Sequence, residues 1–178
     1  MSWVVRAPSG ELQKHEKKLY SRVRRVLWDY EPLRASHAEI FIDIDTDDVR
    51  LRGRVRTLPQ KIIAEMLVQR MTGVASVTNA LIADPEVIRA VADALARDQR
   101  TAAYVIRVDS RHGIVTLRGE VPSSAVQDAA IEVAAGVSLV SSVRNQLTVS
   151  GDALPAVALS RPALKADVAD LDASPVRA

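Results

Sequence analysis

No cysteine occurs among the 178 residues, which removes disulfides, thiol catalysis and cysteine-based zinc sites together. Aromatic residues make up only 3% of the chain, so the core must be aliphatic. One Phe, two Trp and three Tyr also leave few platforms for stacking bases, and nucleic-acid binding ranks below other modes of binding. No run of 18 apolar residues is present, so no span across a membrane is expected. The opening MSWVVRAPSGELQKHEKK lacks the apolar run of a secretory signal. The expected location is therefore cytoplasmic, at most peripheral to an inner membrane, or periplasmic if a signal has been removed. His15, His37 and His112 stand apart from one another, without metal-ligand spacing. The acidic turn DIDTDD, 43–48, lacks the glycine and distal glutamate of a calcium loop, and no glycine-rich phosphate loop appears. The expectation is a non-enzymatic chain with no catalytic residue, no metal and no cofactor.

What remains is 48% hydrophobic, enough for one ordinary core or two small ones. Formal charge is +2, from 24 basic and 22 acidic residues, but it is unevenly placed. Residues 1–35 hold eight Lys/Arg against four Asp/Glu, residues 36–83 six of each, and the rest is slightly acidic. A surface that seeks anions should therefore involve the N-terminal segment.

The strongest signal is internal. A shift of 66 residues lays VRLRGRV (49–55) on VTLRGEV (115–121) and VASVTNAL (74–81) on VSSVRNQL (140–147). Identities fall at Val49, Leu51, Arg52, Gly53, Val55, Ala64, Val74, Ser76, Val77, Asn79 and Leu81, eleven of the 33 positions from 49 to 81. Chance would give about two, so the chain is a tandem duplication. The first helices need about two residues more.

Each copy reads helix, strand, strand, helix, strand. In the first, Leu12, Leu19, Val23, Val26, Leu27 and Tyr30 mark an amphipathic helix that Pro32 ends. IFIDID, 40–45, alternates as a half-buried strand and turns through TDD into a second strand, 48–56. Ile62, Ile63, Met66, Leu67 and Met71 give 58–71 a helical period, Gly73 is expected as its left-handed cap, and 74–82 returns as a strand. The second copy opens with Asp84 as N-cap, Pro85 and Glu86. Val87, Val91, Ala94 and Leu95 line its helix; strands at 104–109 and 114–121, a helix near 123–136 and a strand at 139–149 follow. The expected fold is α+β: two tandem α-β-β-α-β modules, small sheets packed against two helices each. A flexible segment, 1–11, precedes modules 12–83 and 84–150. An Ala/Pro-rich disordered tail, 151–178, follows, in which Leu164, Val168 and Leu171 could form one amphipathic turn.

HGIVTLRGEV followed by LVSSVRNQLTV resembles the BON domain, named for bacterial osmotically inducible and nodulation proteins. The second copy carries the resemblance through Gly113, Val115, Leu117, Gly119, Val121, Val140, Val143, Asn145 and Leu147. It departs at Leu139, where glycine is usual. The first copy keeps Gly53, Gly73, Val74, Val77, Asn79 and Leu81, with Asp47–Asp48 in place of a turn glycine. The resemblance implies a small module, usually in tandem, that binds phospholipid surfaces or mediates protein contacts and is not associated with catalysis. It also implies a setting in osmotic or envelope stress. A family type that senses potassium carries a peptidoglycan-binding module absent from this sequence. Gly53, Gly73, Gly113, Gly119, Asn79 and Asn145 are read as structural: glycine mid-strand marks a bulge or a close backbone approach, and a half-buried amide needs partners, here expected in a neighbouring loop.

Two basic features are candidate anion-binding sites. Lys14, Lys17, Lys18, Arg22, Arg24 and Arg25 surround the first helix, with Trp28 near its end. Arg50, Arg52, Arg54 and Arg56 alternate along one strand, opposite Phe41, Asp43 and Asp45, so that cross-strand ion pairs would neutralise most of the row. The second copy has Thr116, Arg118, Glu120 and Pro122 there, so the fold does not require the arginines. Replacing Arg52 and Arg54 with serine is expected to leave folding intact, and the row is expected to act with the basic helix. The expected partner is an anionic phospholipid surface. The alternative is a protein partner, or self-assembly, through exposed strand edges.

Overall fold

Apolar spacing of three and four residues becomes helix and alternating spacing becomes strand, twice over. The computed structural model describes residues 5–6 and 13–151. Leu12 and, beyond Gly151, the expected tail with Leu164, Val168 and Leu171 lie outside the described residues. Helices α1 (Lys14–Asp29) and α2 (Glu31–Ala35), strands β2 (Glu39–Asp45) and β3 (Asp48–Val55), helix α3 (Leu58–Gln69) and strand β4 (Ser76–Ala83) form the first module. Helix α4 (Asp84–Arg97), strands β5 (Arg107–Arg111) and β6 (Ile114–Val121), helix α5 (Ser124–Ala135) and strand β7 (Ser142–Val149) form the second. Within the segment expected to be flexible, a two-residue strand, β1 (Val5–Arg6), adds parallel to β2 at Ile40 and Phe41. The sheets run β1-β2-β3-β4 and β5-β6-β7. Each hairpin is antiparallel, and each closing strand lies parallel to the hairpin's second strand after a helical crossover.

Helices cover one face of each sheet. Leu19, Val23 and Leu27 of α1 bury against Ile40, Ile42, Val49, Leu51 and Val55, and Val87, Val91 and Leu95 of α4 against Val115, Leu117 and Val121. Each such side chain contributes about 1.5–3 kcal/mol of transfer free energy. Both hairpins turn in two residues, Thr46–Asp47 and His112–Gly113, and the first residue of each has positive φ, 59° and 52°. Thr46 is β-branched, an unusual occupant of that region.

Several local expectations are corrected. Pro32 does not simply stop the first helix: α1 ends at Asp29 and Pro32 opens α2, whose Leu33 is buried, because proline's fixed φ suits a helix's first turn. α3 faces the core with Gln60, Ala64 and Val68, not with Ile62 and Met66. Apolar residues on both sides of this helix masked its true stripe. Gln60 is held in the core by donating from Nε2 to the Pro32 carbonyl at 2.8 Å while its Oε1 accepts the Arg56 and Thr57 N–H groups. Helix α3 ends at Gln69 with Arg70 as its cap, so Gly73, at φ 86°, bends the following loop instead. Asp84 is the first residue of α4 rather than its N-cap, which is Ala83. β5 begins at Arg107, three residues later than expected, and β7 at Ser142.

The motif glycines serve close approach. Gly53 and Gly119 hold φ of 121° and 140°. A Cβ at Gly53 would collide with the Glu39 carbonyl, and one at Gly119 would lie 2.6 Å from that of Val105. Asn79 and Asn145 each accept, through Oδ1, the N–H two residues on, of Leu81 and Leu147. Asn79 Nδ2 also donates to the Lys61 carbonyl at 2.9 Å, so its partner is helix α3 and not a loop.

No residue separates β4 from α4, and side chains cross between the modules. Arg54 Nη1 donates to the Leu139 carbonyl at 2.8 Å and lies over Gly113, where a Cβ would collide with the guanidinium. Lys61 Nζ meets Glu86 Oε1 at 2.8 Å, and His112 Nε2 donates to the Ser36 carbonyl at 3.1 Å. Arg56 Nη1 stands 3.5 Å from Asp84 Oδ2. Asp84 is buried and accepts from Ser110 Oγ at 3.0 Å.

Candidate binding surface

The core register of α1 decides where its charges go. At about 100° per residue, positions two before Leu19, Val23 and Leu27 point away from the sheet. They are Lys17, Ser21 and Arg25. Lys14, Lys18 and Arg22 flank this line on one side, Arg24 and Trp28 on the other. All six basic residues are exposed, and Trp28 is 42% exposed. Arg22 leans toward the loop after α3, with Nη1 3.9 Å from where a Cβ of Gly73 would lie.

The same rule applied to α3 gives Leu58, Ile62 and Met66 as its outward line. They are 43%, 56% and 40% exposed. Sequence periodicity assigned Ile62 and Met66 to the core and so missed them as surface. The signal that could have found them is Ala64, Gln60 and Val68, a smaller stripe that only the duplication makes legible, since Ala130 is its counterpart. Because α1 and α3 lie side by side, the helical layer of the first module presents apolar residues bordered by cations.

The arginine row is not part of that layer. Val49, Leu51 and Val55 point to the helices, so the arginines project from the opposite face of the sheet. One flat partner cannot meet both sets at once, and the expectation that they act together is corrected. The row itself divides. Arg52 Nε bonds Asp43 Oδ2 at 2.5 Å, a bond and charge that raise the guanidinium pKa further above its ordinary value. Arg54 and Arg56 are half-buried at the module junction. Arg50 is exposed and has no ion pair among the described residues. The acidic turn is likewise engaged: Asp47 Oδ1 meets His15 Nε2 at 2.8 Å, and Asp48 Oδ1 accepts from Ser76 Oγ at 2.5 Å.

Glu86 is the junction carboxylate with a resolved shift. Burial pushes its pKa up, but the hydrogen bond from Lys61, the Ala83 N–H and the Lys61 charge together outweigh it and leave it lowered. No group of three or more His, Asp or Glu side chains suited to a metal occurs among the described residues, and no described helix is long and apolar enough to cross a membrane. The β2 edge, one candidate for strand addition, is capped over Ile40 and Phe41 by β1.

Comparison with known proteins gives a family and a fold. The BON domain family model matches residues 17–85 and again 83–151. Solved structures of CdsD, a structural protein of the Type III secretion system of Chlamydia trachomatis, superpose with a TM-score of 0.57 at 17% identity, over 74% of this chain and 61% of that one. The C-terminal domain of CdsD gives a TM-score of 0.57 at 16% identity, over 78% and 66%. This chain thus spans less than two thirds of either solved chain. No curated protein matches it significantly.

Proposed function

The chain belongs to the BON domain family, with two copies in tandem, and on that premise we propose that it is a non-catalytic binding module attaching peripherally to anionic phospholipid surfaces through the helical layer of its first module. One observation carries this reading. Aligning the core residues Leu19, Val23 and Leu27 with Val87, Val91 and Leu95 places Lys14, Lys17, Lys18, Arg22, Arg24 and Arg25 on Ile82, Pro85, Glu86, Ala90, Ala92 and Asp93. Trp28 falls on Ala96. Leu58, Ile62 and Met66 fall on Ser124, Asp128 and Glu132. The second module builds the same helical layer without the cations and without the apolar line, so the fold requires neither.

Basic residues around exposed aromatic and aliphatic side chains suit the boundary of a charged leaflet. Each cation supplies about 1 kcal/mol there, so six supply at most about 6 kcal/mol, an attachment in the tens of micromolar that salt reverses. The core residues of α1 stay packed on the sheet.

Co-sedimentation with vesicles tests this. Phosphatidylglycerol vesicles should retain the protein at low salt and release it at high salt, and phosphatidylcholine vesicles should not retain it. Arg24→Ala with Arg25→Asp, which removes two cations and adds an anion, should weaken retention about thirtyfold or more. Ile62→Asp, which copies Asp128, should weaken it without unfolding. Equal retention on both vesicle types would refute the reading. If Ile62→Asp instead dissolved an oligomer, the stripe would belong to a protein contact.

A further inference from the structure

The sheet face opposite the helices carries an open cleft at the hairpin end of each module, of about 610 Å³ in the first and about 460 Å³ in the second. The 66-residue offset superimposes their linings. One ion pair is common to both: Asp43 with Arg52, and Asp109 with Arg118. The other charges have been exchanged. Asp45 becomes Arg111, Asp48 becomes Ile114, Arg50 becomes Thr116 and Thr78 becomes Arg144. The first lining holds three aspartates (43, 45, 48) against two arginines (50, 52), a balance of −1. The second holds four arginines (56, 111, 118, 144) against Asp109, a balance of +3, and one of the four, Arg56, reaches in from the first module.

The backbone is the same and the sign is opposite, so the cations of the second cleft are not a requirement of the fold. Two of the four, moreover, are not neutralised locally. Arg111 on β5 and Arg144 on β7 are exposed, and their side chains make no ion pair or hydrogen bond among the described residues. Their strands flank β6, where Arg111 pairs in register with Ile114 and Arg144 with Thr116. Two strand spacings of about 4.8 Å and a stagger of two residues put the backbones of the two arginines about 12 Å apart, close enough for both long side chains to converge above Thr116. Arg118 is engaged by Asp109 and by Gln146 Oε1. Arg56 is ion-paired with the buried Asp84, Nη1 to Oδ2 at 3.5 Å, longer than a direct charge-assisted hydrogen bond.

We propose that this cleft binds a phosphate-bearing anion, gripped between Arg111 and Arg144 and closed at the module junction by Arg56. Guanidinium forks match pairs of phosphate oxygens. The Thr116 hydroxyl can donate to a third oxygen, and Ile114 offers apolar floor to an ester carbon. Because Arg56 belongs to the first module, the bound anion also ties the two modules together. The site is independent of the helical layer and stands if that layer binds no lipid.

The test uses the full chain, isotope-labelled, titrated in turn with inorganic phosphate, glycerol phosphate, and phosphatidylglycerol or phosphatidylcholine vesicles while backbone amide resonances are followed. Saturable shifts centred on Arg111, Ile114, Thr116 and Arg144 are expected. A response to the soluble phosphates identifies a free ligand, and a response to phosphatidylglycerol alone identifies a lipid headgroup. Arg111→Gln with Arg144→Gln should weaken binding by about tenfold or more, and Arg50→Gln, in the first cleft, should leave it unchanged. No saturable shift with any probe would overturn the proposal. So would a response to phosphatidylglycerol vesicles alone, with none to the soluble phosphates, that survives Arg111→Gln with Arg144→Gln but is lost in Arg24→Ala with Arg25→Asp.

Discussion

The four arginines of β3 and its end should differ sharply when removed, although the sequence writes them as equals. Arg54→Ala deletes the hydrogen bond to the Leu139 carbonyl and uncovers Gly113. A hydrogen bond to a charged donor is worth roughly 1.5–3 kcal/mol, so the junction should lose about 2 kcal/mol. Arg50→Ala removes an exposed side chain with no ion pair among the described residues, and its effect should stay within about 0.5 kcal/mol. The two modules have separate cores, so the loss should appear as lost coupling between them. For modules of this size, 1 kcal/mol moves a melting midpoint by about 4–8 °C. Scanning calorimetry should show one transition for the parent chain and for Arg50→Ala. In Arg54→Ala the less stable module should melt about 10 °C earlier. Replacing Arg52 and Arg54 together with serine should accordingly leave each module folded while weakening the junction between them. Identical melting of the Arg54 and Arg50 variants would refute the assignment of Arg54 to the junction.

Gly53→Ala should destabilise the first module by about 3 kcal/mol or more, because alanine at φ 121° is strained and its Cβ meets the Glu39 carbonyl; a thermal melt showing less than half that loss would contradict the close approach. Gly119→Ala should do the same in the second module, against the Val105 carbonyl. Glu86 has a lowered pKa in the folded chain, so its contribution is present above the ordinary carboxylate value of 4.5 and disappears as pH falls through the folded value. Lys61→Met should therefore lower stability at neutral pH and converge with the parent in acid; a gap that is constant with pH would exclude the Lys61–Glu86 pair as its source.

What the sequence made legible was whatever the two copies share. Gly53 with Gly119 and the alternating Val49, Leu51 and Val55 with Val115, Leu117 and Val121 gave strands, register and the tandem α+β architecture. Asn79 with Asn145 marked a structural amide, although its bond to the Lys61 carbonyl depends on helix packing that spacing does not encode. Misreadings cluster where local pattern was ambiguous. Helix α3 is apolar on both sides, so periodicity chose Ile62 and Met66 for the core, and only packing against the Pro32 carbonyl reveals that Gln60 belongs there. The arginine row looked like one surface because alternation shows which residues share a face, not what stands against it. That Arg54 and Arg56 face the second module follows from tertiary contacts, of Arg54 with Leu139, 85 residues on in sequence, and of Arg56 with Asp84.

Duplication supplies an internal control that separates scaffold from specialisation. Two copies of one fold must satisfy the same backbone constraints, so a feature present in only one of them is not explained by folding. By that test the glycine pair, the asparagine pair and the shared Asp–Arg bridge are scaffold. The cations of α1 and the apolar line of α3 are particular to the first module, and Arg111 and Arg144, whose side chains are unpaired among the described residues, to the second. The two specialisations also occupy different faces, helical in one module and open sheet in the other. Each face is thus free to change without disturbing the other's core. The junction formed by Arg54, Arg56, Lys61 and Glu86 is where they can influence one another, because Arg56 borders the second cleft while belonging to the first module. An anion held there would engage Arg56 directly and stabilise the joined arrangement over the separated one by its differential affinity for it.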